Sequence, residues 1–149
     1  MLKFFYSNNS CAFASHVVLE EAEADYKAIK VDLNSGEQYT ERFMKINPKS
    51  RVPALVTPEG TLTETIAILS YIAHTHPGKN LVPDDPFLYA KLLSFNSYLA
   101  STVHVAHAHK HRGARWTTDK SAIMSLTSHV KENMEKCGVF INNHLIQRP

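Results

Sequence analysis

The residue whose type and position most clearly suggest chemistry is Cys11, in the stretch FYSNNSCAFASH. An apolar run ends at residues 7–10 and helical spacing begins directly after it, so the thiol is predicted to lie at a helix N-terminus. The free N–H groups and the positive end of the helix dipole at such a position favour a thiolate, the nucleophilic form of cysteine. Cys11 is therefore a candidate nucleophile; the alternative is a small buried side chain, because free cysteine is often buried.

The residues around Cys11 indicate that a second thiol comes from outside the chain. Ala14 occupies the position where a Cys-x-x-Cys motif would place its second cysteine, and the distant Cys137 makes no disulfide framework with Cys11. A single thiol cannot resolve its own mixed disulfide. Glutathione, the abundant cytosolic thiol, is the predicted partner.

A histidine cluster occupies residues 104–111. His104, His107 and His111 are predicted to lie on one helical face, and the last two have the spacing of a two-histidine metal grip. No nearby carboxylate completes such a site and the HExxH pattern is absent. We therefore expect a polar face that lines a cleft or meets solvent, and no metal cofactor.

The elements predicted around Cys11 form an α/β unit. They are, in order, a strand at 2–6, a helix at 11–24, a strand at 26–33, a short helix at 38–46, a hairpin of strands at 52–57 and 61–63, and a helix at 64–74. The first strand-helix-strand unit implies a parallel pair with a right-handed crossover. The order predicts a thioredoxin-like α/β domain at residues 1–76.

Two short motifs in this domain could bind a peptide. Pro53 opens a strand before the hairpin, where a thioredoxin-like sheet places a cis-proline, and this turns the Val52 backbone toward an extended peptide. Glu64 could hold an ammonium, while Thr65 and the free N–H groups of its helix could hold a carboxylate. Together these groups suit the amino-acid end of a γ-glutamyl group; the alternative is a capping box formed by Thr61 and Glu64.

The second half of the chain has no strand pattern. Residues 77–86 read as a linker, and the apolar spacing predicts two long helices at 87–111 and at about 118–146. Asp119 suits the positive end of the second helix dipole. Residues 87–149 are thus predicted to form an all-α, incomplete helical bundle.

Composition excludes several classes of protein. Sixteen Lys and Arg against fourteen Asp and Glu give a formal charge of +2, spread along the chain, which argues against a nucleic-acid partner. No apolar run reaches the roughly 20 residues of a membrane helix, and the first residues lack a signal peptide. We expect a cytoplasmic protein.

The residues 5–33 (FYSNNSCAFASHVVLEEAEADYKAIKVDL) and 36–73 (GEQYTERFMKINPKSRVPALVTPEGTLTETIAILSYIA) resemble the amino-terminal domain of the cytosolic glutathione S-transferases, closest to the bacterial classes. The two later helices resemble the first two of that family's carboxy-terminal domain. Relatives continue beyond the equivalent of 147–149 with further helices, so this chain is expected to be truncated or a fragment.

The resemblance implies a role for each motif. Val52, before a cis Pro53, would pair with the cysteinyl backbone of glutathione, Glu64 and Thr65 would hold its γ-glutamyl end, and Gln38 would reach its glycine end. Cys11 matches the cysteine with which beta-class members form a mixed disulfide with glutathione. His104 falls where those members direct a histidine at that cysteine.

The loop before Cys11 departs from the beta class. Asn8-Asn9-Ser10 replaces the usual Pro-Gly-Ala, and a lysine often found near Asn34 is missing. Because other classes activate glutathione with a hydroxyl or amide from this loop, Ser10, Asn9 or Tyr6 could contact the glutathione sulfur instead of Cys11.

The resemblance implies a homodimeric detoxifying transferase that uses glutathione as co-substrate to attack small electrophiles. One alternative is a glutathione-dependent disulfide reductase or deglutathionylase with Cys11 as attacking thiol. Another is a non-catalytic glutathione-binding or scaffold protein of the same fold.

Overall fold

The computed structural model describes residues 1–144 and divides into two compact units, residues 1–89 and the chain from Ala90 onward. The first unit is built on a four-stranded mixed sheet. Its strands are β1 (Leu2–Tyr6), β2 (Tyr26–Lys30), β3 (Ala54–Thr57) and β4 (Gly60–Thr63). Their order in the sheet is β2-β1-β3-β4, with β1 parallel to β2 and both other pairs antiparallel.

The helices of the first unit cover both faces of this sheet. They are α1 (Ala12–Glu21), the short α2 (Glu41–Met44) and α3 (Thr65–Thr75). Successive side chains of a strand point to opposite faces, and in β1 Phe4 is fully buried while Phe5 meets Phe43 of α2 edge to face. Helices α1 and α3 pack against each other, and both have fully buried apolar residues. The predicted thioredoxin-like fold is confirmed.

The segment between β2 and β3 is less regular than the single helix predicted at 38–46. Gly36, at φ 79°, leads into a 3₁₀ turn at Glu37–Tyr39, and α2 begins only after Thr40. Thr40 has an extended backbone, and its hydroxyl accepts a hydrogen bond from the Phe43 N–H at 3.3 Å. The threonine therefore ends one turn and caps the next.

The first unit extends beyond α3 through residues 76–89. A salt bridge of 2.6 Å joins Lys79 to Glu23 at the end of α1. The Ser70 and Tyr89 hydroxyls lie 2.6 Å apart, and the Tyr89 ring meets His74 edge to face. These contacts attach the segment after α3 to the helices of the first unit.

The second unit is helical. Its helices are α4 (Pro86–Tyr98, which begins in the first unit), α5 (His104–Arg112), α6 (Lys120–Ser128) and α7 (Val130–His144). A π-helical turn at Leu99–Val103 joins α4 to α5, so the helix predicted at 87–111 is continuous but not uniform. At Gly113 a Cβ would lie 3.0 Å from Ile123, so glycine permits the close approach of the α5 end to α6.

The prediction of one helix at about 118–146 is wrong within the described residues. The helix breaks at His129, and positions 145 and 146 lie outside the described residues. The Ser128 hydroxyl donates to the Ser125 carbonyl at 2.8 Å, and His129 Nδ1 lies 2.8 Å from the same oxygen. Such side-chain bonds to backbone carbonyls compete with the helical ladder at this point.

Asp119, which was expected to suit the positive end of the helix dipole, is the N-cap of α6. Its carboxylate accepts hydrogen bonds from the Ser121 N–H at 2.8 Å and the Ala122 N–H at 3.4 Å. Across residues 1–144 no helix is both long and apolar enough to cross a membrane.

Candidate functional site

Strand register brings the candidate site residues to one end of the sheet. Phe5, near the end of β1, pairs with Ala54 at the start of β3, and Ala54 pairs with Thr63 at the end of β4. The loop after β1, the Val52-Pro53 segment before β3 and the start of α3 after β4 therefore lie at the same edge. This edge is the candidate site.

Cys11 lies at the helix start that the sequence predicted. It is the N-cap residue of α1, its side chain is exposed, and its Sγ lies 3.7 Å from the Val52 carbonyl oxygen. The Val52-Pro53 bond is cis, which confirms that prediction, and both residues are buried. The structure thus brings Cys11 and Val52 together across 41 positions of sequence.

The Ser10 hydroxyl is engaged by its own loop. It donates to the Ser7 carbonyl at 2.7 Å and accepts from the Ala12 N–H at 3.3 Å. Asn9, which is exposed, holds φ at 55°, a left-handed conformation that asparagine tolerates better than most residues. The Cys11 thiol combines exposure with a contact to Val52.

Gln38 lies in the 3₁₀ turn after β2. Its side-chain nitrogen donates to the Leu33 carbonyl at 3.4 Å, whereas its buried oxygen has no hydrogen-bond partner among residues 1–144. Asp32 fixes the preceding turn by accepting from the N–H groups of Asn34 and Ser35, and these bonds lower the pKa of its carboxyl. The structure thus places Gln38 close to the chain that follows β2.

Glu64 is the N-cap of α3, and Thr65 is the first residue of that helix. The alternative, a capping box formed by Thr61 and Glu64, is not found in the described residues, since Thr61 lies in β4 and no side chain there caps α3. Glu64 instead holds φ at 72° and ψ at 127°, which is rare for a residue with a side chain. Such strain persists when the surroundings fix it, and it is concentrated at functional sites.

Sequence reasoning missed Lys49 and Asn47. The Lys49 ammonium contacts the Glu64 carboxylate and donates to the Thr63 hydroxyl at 2.7 Å. Asn47 is 1% exposed, and its amide donates to the Arg51 carbonyl at 2.6 Å and accepts from the Lys49 N–H at 3.1 Å. Only the folded chain brings Lys49 to Glu64, which lies 15 positions further along the sequence.

The histidine cluster lies in the second unit. His104 begins α5, and His107 and His111 are exposed on the same helix. In the described part of the chain, no group of three or more His, Cys, Asp or Glu side chains could hold a metal ion. The role of His104 toward Cys11 stays a prediction.

Comparison with known proteins places this geometry in a family. The family described as "Glutathione S-transferase, N-terminal domain" matches residues 2–74. Glutathione S-transferase GstA of Escherichia coli O157:H7 is 34% identical over 110 residues, which are 69% of this chain and 53% of that protein. Mouse maleylacetoacetate isomerase is 30% identical over 102 residues, which are 67% of this chain and 47% of the relative. The chain spans about half the length of these relatives.

Solved structures are similar over nearly the whole chain. A glutathione transferase homolog from Sulfitobacter, crystallised with bound glutathione, has a TM-score of 0.95 and 40% identity, covering 99% of this chain and 71% of its own. A beta-class glutathione S-transferase from Sphingomonas chungbukensis has a TM-score of 0.76 and 33% identity, covering 95% of this chain and 71% of its own. The protein therefore belongs to the glutathione S-transferase family.

Proposed function

We propose that this protein binds glutathione at the candidate site and transfers its thiolate to small electrophilic substrates. The observation that supports this most strongly is the convergence of Cys11, Val52 and the start of α3 at one sheet edge. The glutathione bound in the Sulfitobacter homolog, which is similar over 99% of this chain, supports the same ligand.

In the proposed complex, glutathione lies extended along Val52. Its cysteinyl backbone pairs with the Val52 backbone, Glu64 and Thr65 hold the γ-glutamyl end, and Gln38 reaches the glycine end. The Gln38 contact in this complex follows from the family resemblance. The glutathione sulfur then lies over the start of α1, close to Cys11.

The transfer step uses the start of α1. Helix N-terminal N–H groups favour the glutathione thiolate over the neutral thiol. The thiolate attacks an electrophilic carbon, a sulfur–carbon bond forms, and the leaving group departs with the bonding electrons. As the family resemblance implies, we also propose that His104 is a catalytic residue.

A second candidate function is glutathione-dependent disulfide reduction, favoured by the exposure of the Cys11 thiol. The Cys11 thiolate would attack the glutathionyl sulfur of a mixed disulfide and release the other thiolate. A second glutathione thiolate would then form oxidised glutathione and restore Cys11.

We further propose that the protein is cytoplasmic and forms a homodimer, as the family resemblance implies. Light scattering of the purified protein would test the dimer.

One experiment separates these functions. Wild type, Cys11→Ala and the control Cys137→Ala are tested for retention on immobilised glutathione, conjugation of chlorodinitrobenzene and reduction of a glutathionyl mixed disulfide. Conjugation that survives in Cys11→Ala while disulfide exchange is lost would assign Cys11 an auxiliary role in transfer. Retention without turnover of either substrate would favour a scaffold protein, and no retention would contradict every version.

A further inference from the structure

We propose that Lys49 is a specificity residue that, together with Glu64, recognises the paired ammonium and carboxylate of the γ-glutamyl group. This inference rests on the proposed binding of glutathione. The Lys49 ammonium contacts the Glu64 carboxylate and lies 2.7 Å from the Thr63 hydroxyl oxygen. Opposite charges therefore stand side by side where the amino-acid end of the ligand is proposed to bind.

The chemistry of that end matches the pair. An α-amino acid has an ammonium and a carboxylate on the same carbon, so its two charges are as close together as those of Lys49 and Glu64. The ligand ammonium would bind Glu64, and the ligand carboxylate would bind Lys49 as well as Thr65. Glu64 alone would accept any primary amine, whereas the pair requires both ligand charges.

The backbone of Lys49 is held in place by a buried residue. Asn47 accepts a hydrogen bond from the Lys49 N–H and donates to the carbonyl of Arg51, the residue before Val52. The Asn47 side chain thus positions both Lys49, which contacts Glu64, and Arg51, which precedes Val52. The two proposed contact points of glutathione are linked through Asn47.

Both charged groups remain accessible to a ligand. The Lys49 side chain is 47% exposed and that of Glu64 is 68% exposed. Exposed ion pairs contribute little to folding stability, so redirecting the two groups toward a ligand needs little free energy. In a different role, Lys49 would only occupy the ammonium position on Glu64 until the ligand ammonium displaced it. Removing Lys49 would then strengthen glutathione binding, whereas removing a residue that recognises the ligand would weaken it.

The test compares three ligands by titration calorimetry on the full chain. They are glutathione, γ-aminobutyryl-cysteinylglycine, which lacks the γ-glutamyl carboxylate, and glutaryl-cysteinylglycine, which lacks the amine. Lys49→Met should weaken glutathione binding about tenfold, as expected for a lost hydrogen bond to a charged group, and leave binding of the carboxylate-free ligand unchanged. Lys49→Arg should still bind glutathione more tightly than the carboxylate-free ligand. The control Lys45→Met, which removes an exposed lysine paired with Glu41, should behave as wild type.

Two results would overturn the inference about Lys49. Equal losses for glutathione and the carboxylate-free ligand would assign Lys49 a structural role, and unchanged or tighter glutathione binding in Lys49→Met would exclude recognition. Failure of the wild type to bind glutathione would instead refute the proposed function itself. The two failures are thus distinguishable in one set of titrations.

Discussion

Solvent exposure separates the two cysteines of this chain. Cys11 is exposed at the start of α1, whereas Cys137 is 7% exposed within α7. A buried thiol reacts only when its surroundings open, so exposure decides which cysteine can meet a soluble reagent.

We expect iodoacetamide to alkylate Cys11 of the native protein at least about tenfold faster than Cys137, since only the latter requires local opening. Non-reactive S-methylglutathione should slow alkylation of Cys11 and leave Cys137 unaffected. Peptide mass spectrometry measures both rates. Equal rates at the two thiols, or no protection of Cys11, would contradict this description of the site.

Ser50 has a strained backbone conformation and is not one of the proposed glutathione contacts. It holds φ at 54°, a conformation that glycine adopts without steric strain. Ser50→Gly should raise the free energy of unfolding by about 0.5–1 kcal/mol, whereas Ser50→Ala retains the strain and should not. Urea unfolding measures both variants, and a glycine variant no more stable than the alanine variant would refute the argument.

At the scale of elements, the caps determine where helices begin. Asp119 holds the first N–H groups of α6. Its hydrogen bond with the Ser121 hydroxyl lowers the pKa of its carboxyl most, and its bond with the Ser121 N–H lowers the pKa further. A group with a lowered pKa in the folded state stabilises the protein while it is ionised. That stabilisation is complete above the ordinary value of 3.8 and is lost as pH falls through the lower folded value.

Asp119→Ala should therefore lower the urea midpoint at neutral pH, and the difference from wild type should shrink as pH falls below 3.8. Asp84→Ala, which removes an exposed carboxylate from the segment between α3 and α4, is the matched control and should change the midpoint little. A destabilisation by Asp119→Ala that did not depend on pH would argue against the charged cap.

Most elements of the fold were predictable because apolar spacing determines them. The strand at 2–6, the hairpin and α3 follow from which side chains must be buried, and the cis bond at Pro53 followed from the expected sheet. The break at His129 was not predictable, because the apolar pattern continues through it while side-chain bonds to the Ser125 carbonyl compete locally with the backbone. Burial patterns do not report such local competition.

The site was predicted residue by residue but not as a network. Cys11, Val52 and Glu64 each lie within a short motif, so the sequence indicated them. Lys49 reaches Glu64 across 15 positions, and that contact depends on how the hairpin folds back. Long-range polar contacts of this kind have no local sequence signature.

At the scale of the whole molecule, the family relationship and the site geometry support each other. The chain matches the glutathione S-transferase amino-terminal domain over residues 2–74, and that range contains each proposed glutathione contact. The helices from α4 onward form the second unit, where His104 lies. We propose that glutathione binds at the sheet edge formed by the ends of β1 and β4 and the start of β3.

Amide chemical shifts of the isotope-labelled full chain, recorded as glutathione is added, test this claim most directly. We expect saturable shifts at Cys11, Val52, Glu64 and Thr65, with Ser121 in α6 unchanged as an internal control. The Glu64→Gln variant should need about tenfold more glutathione for the same shifts, since it loses a charged hydrogen bond. An absence of shifts at these amides, or a response centred elsewhere in the chain, would contradict the account.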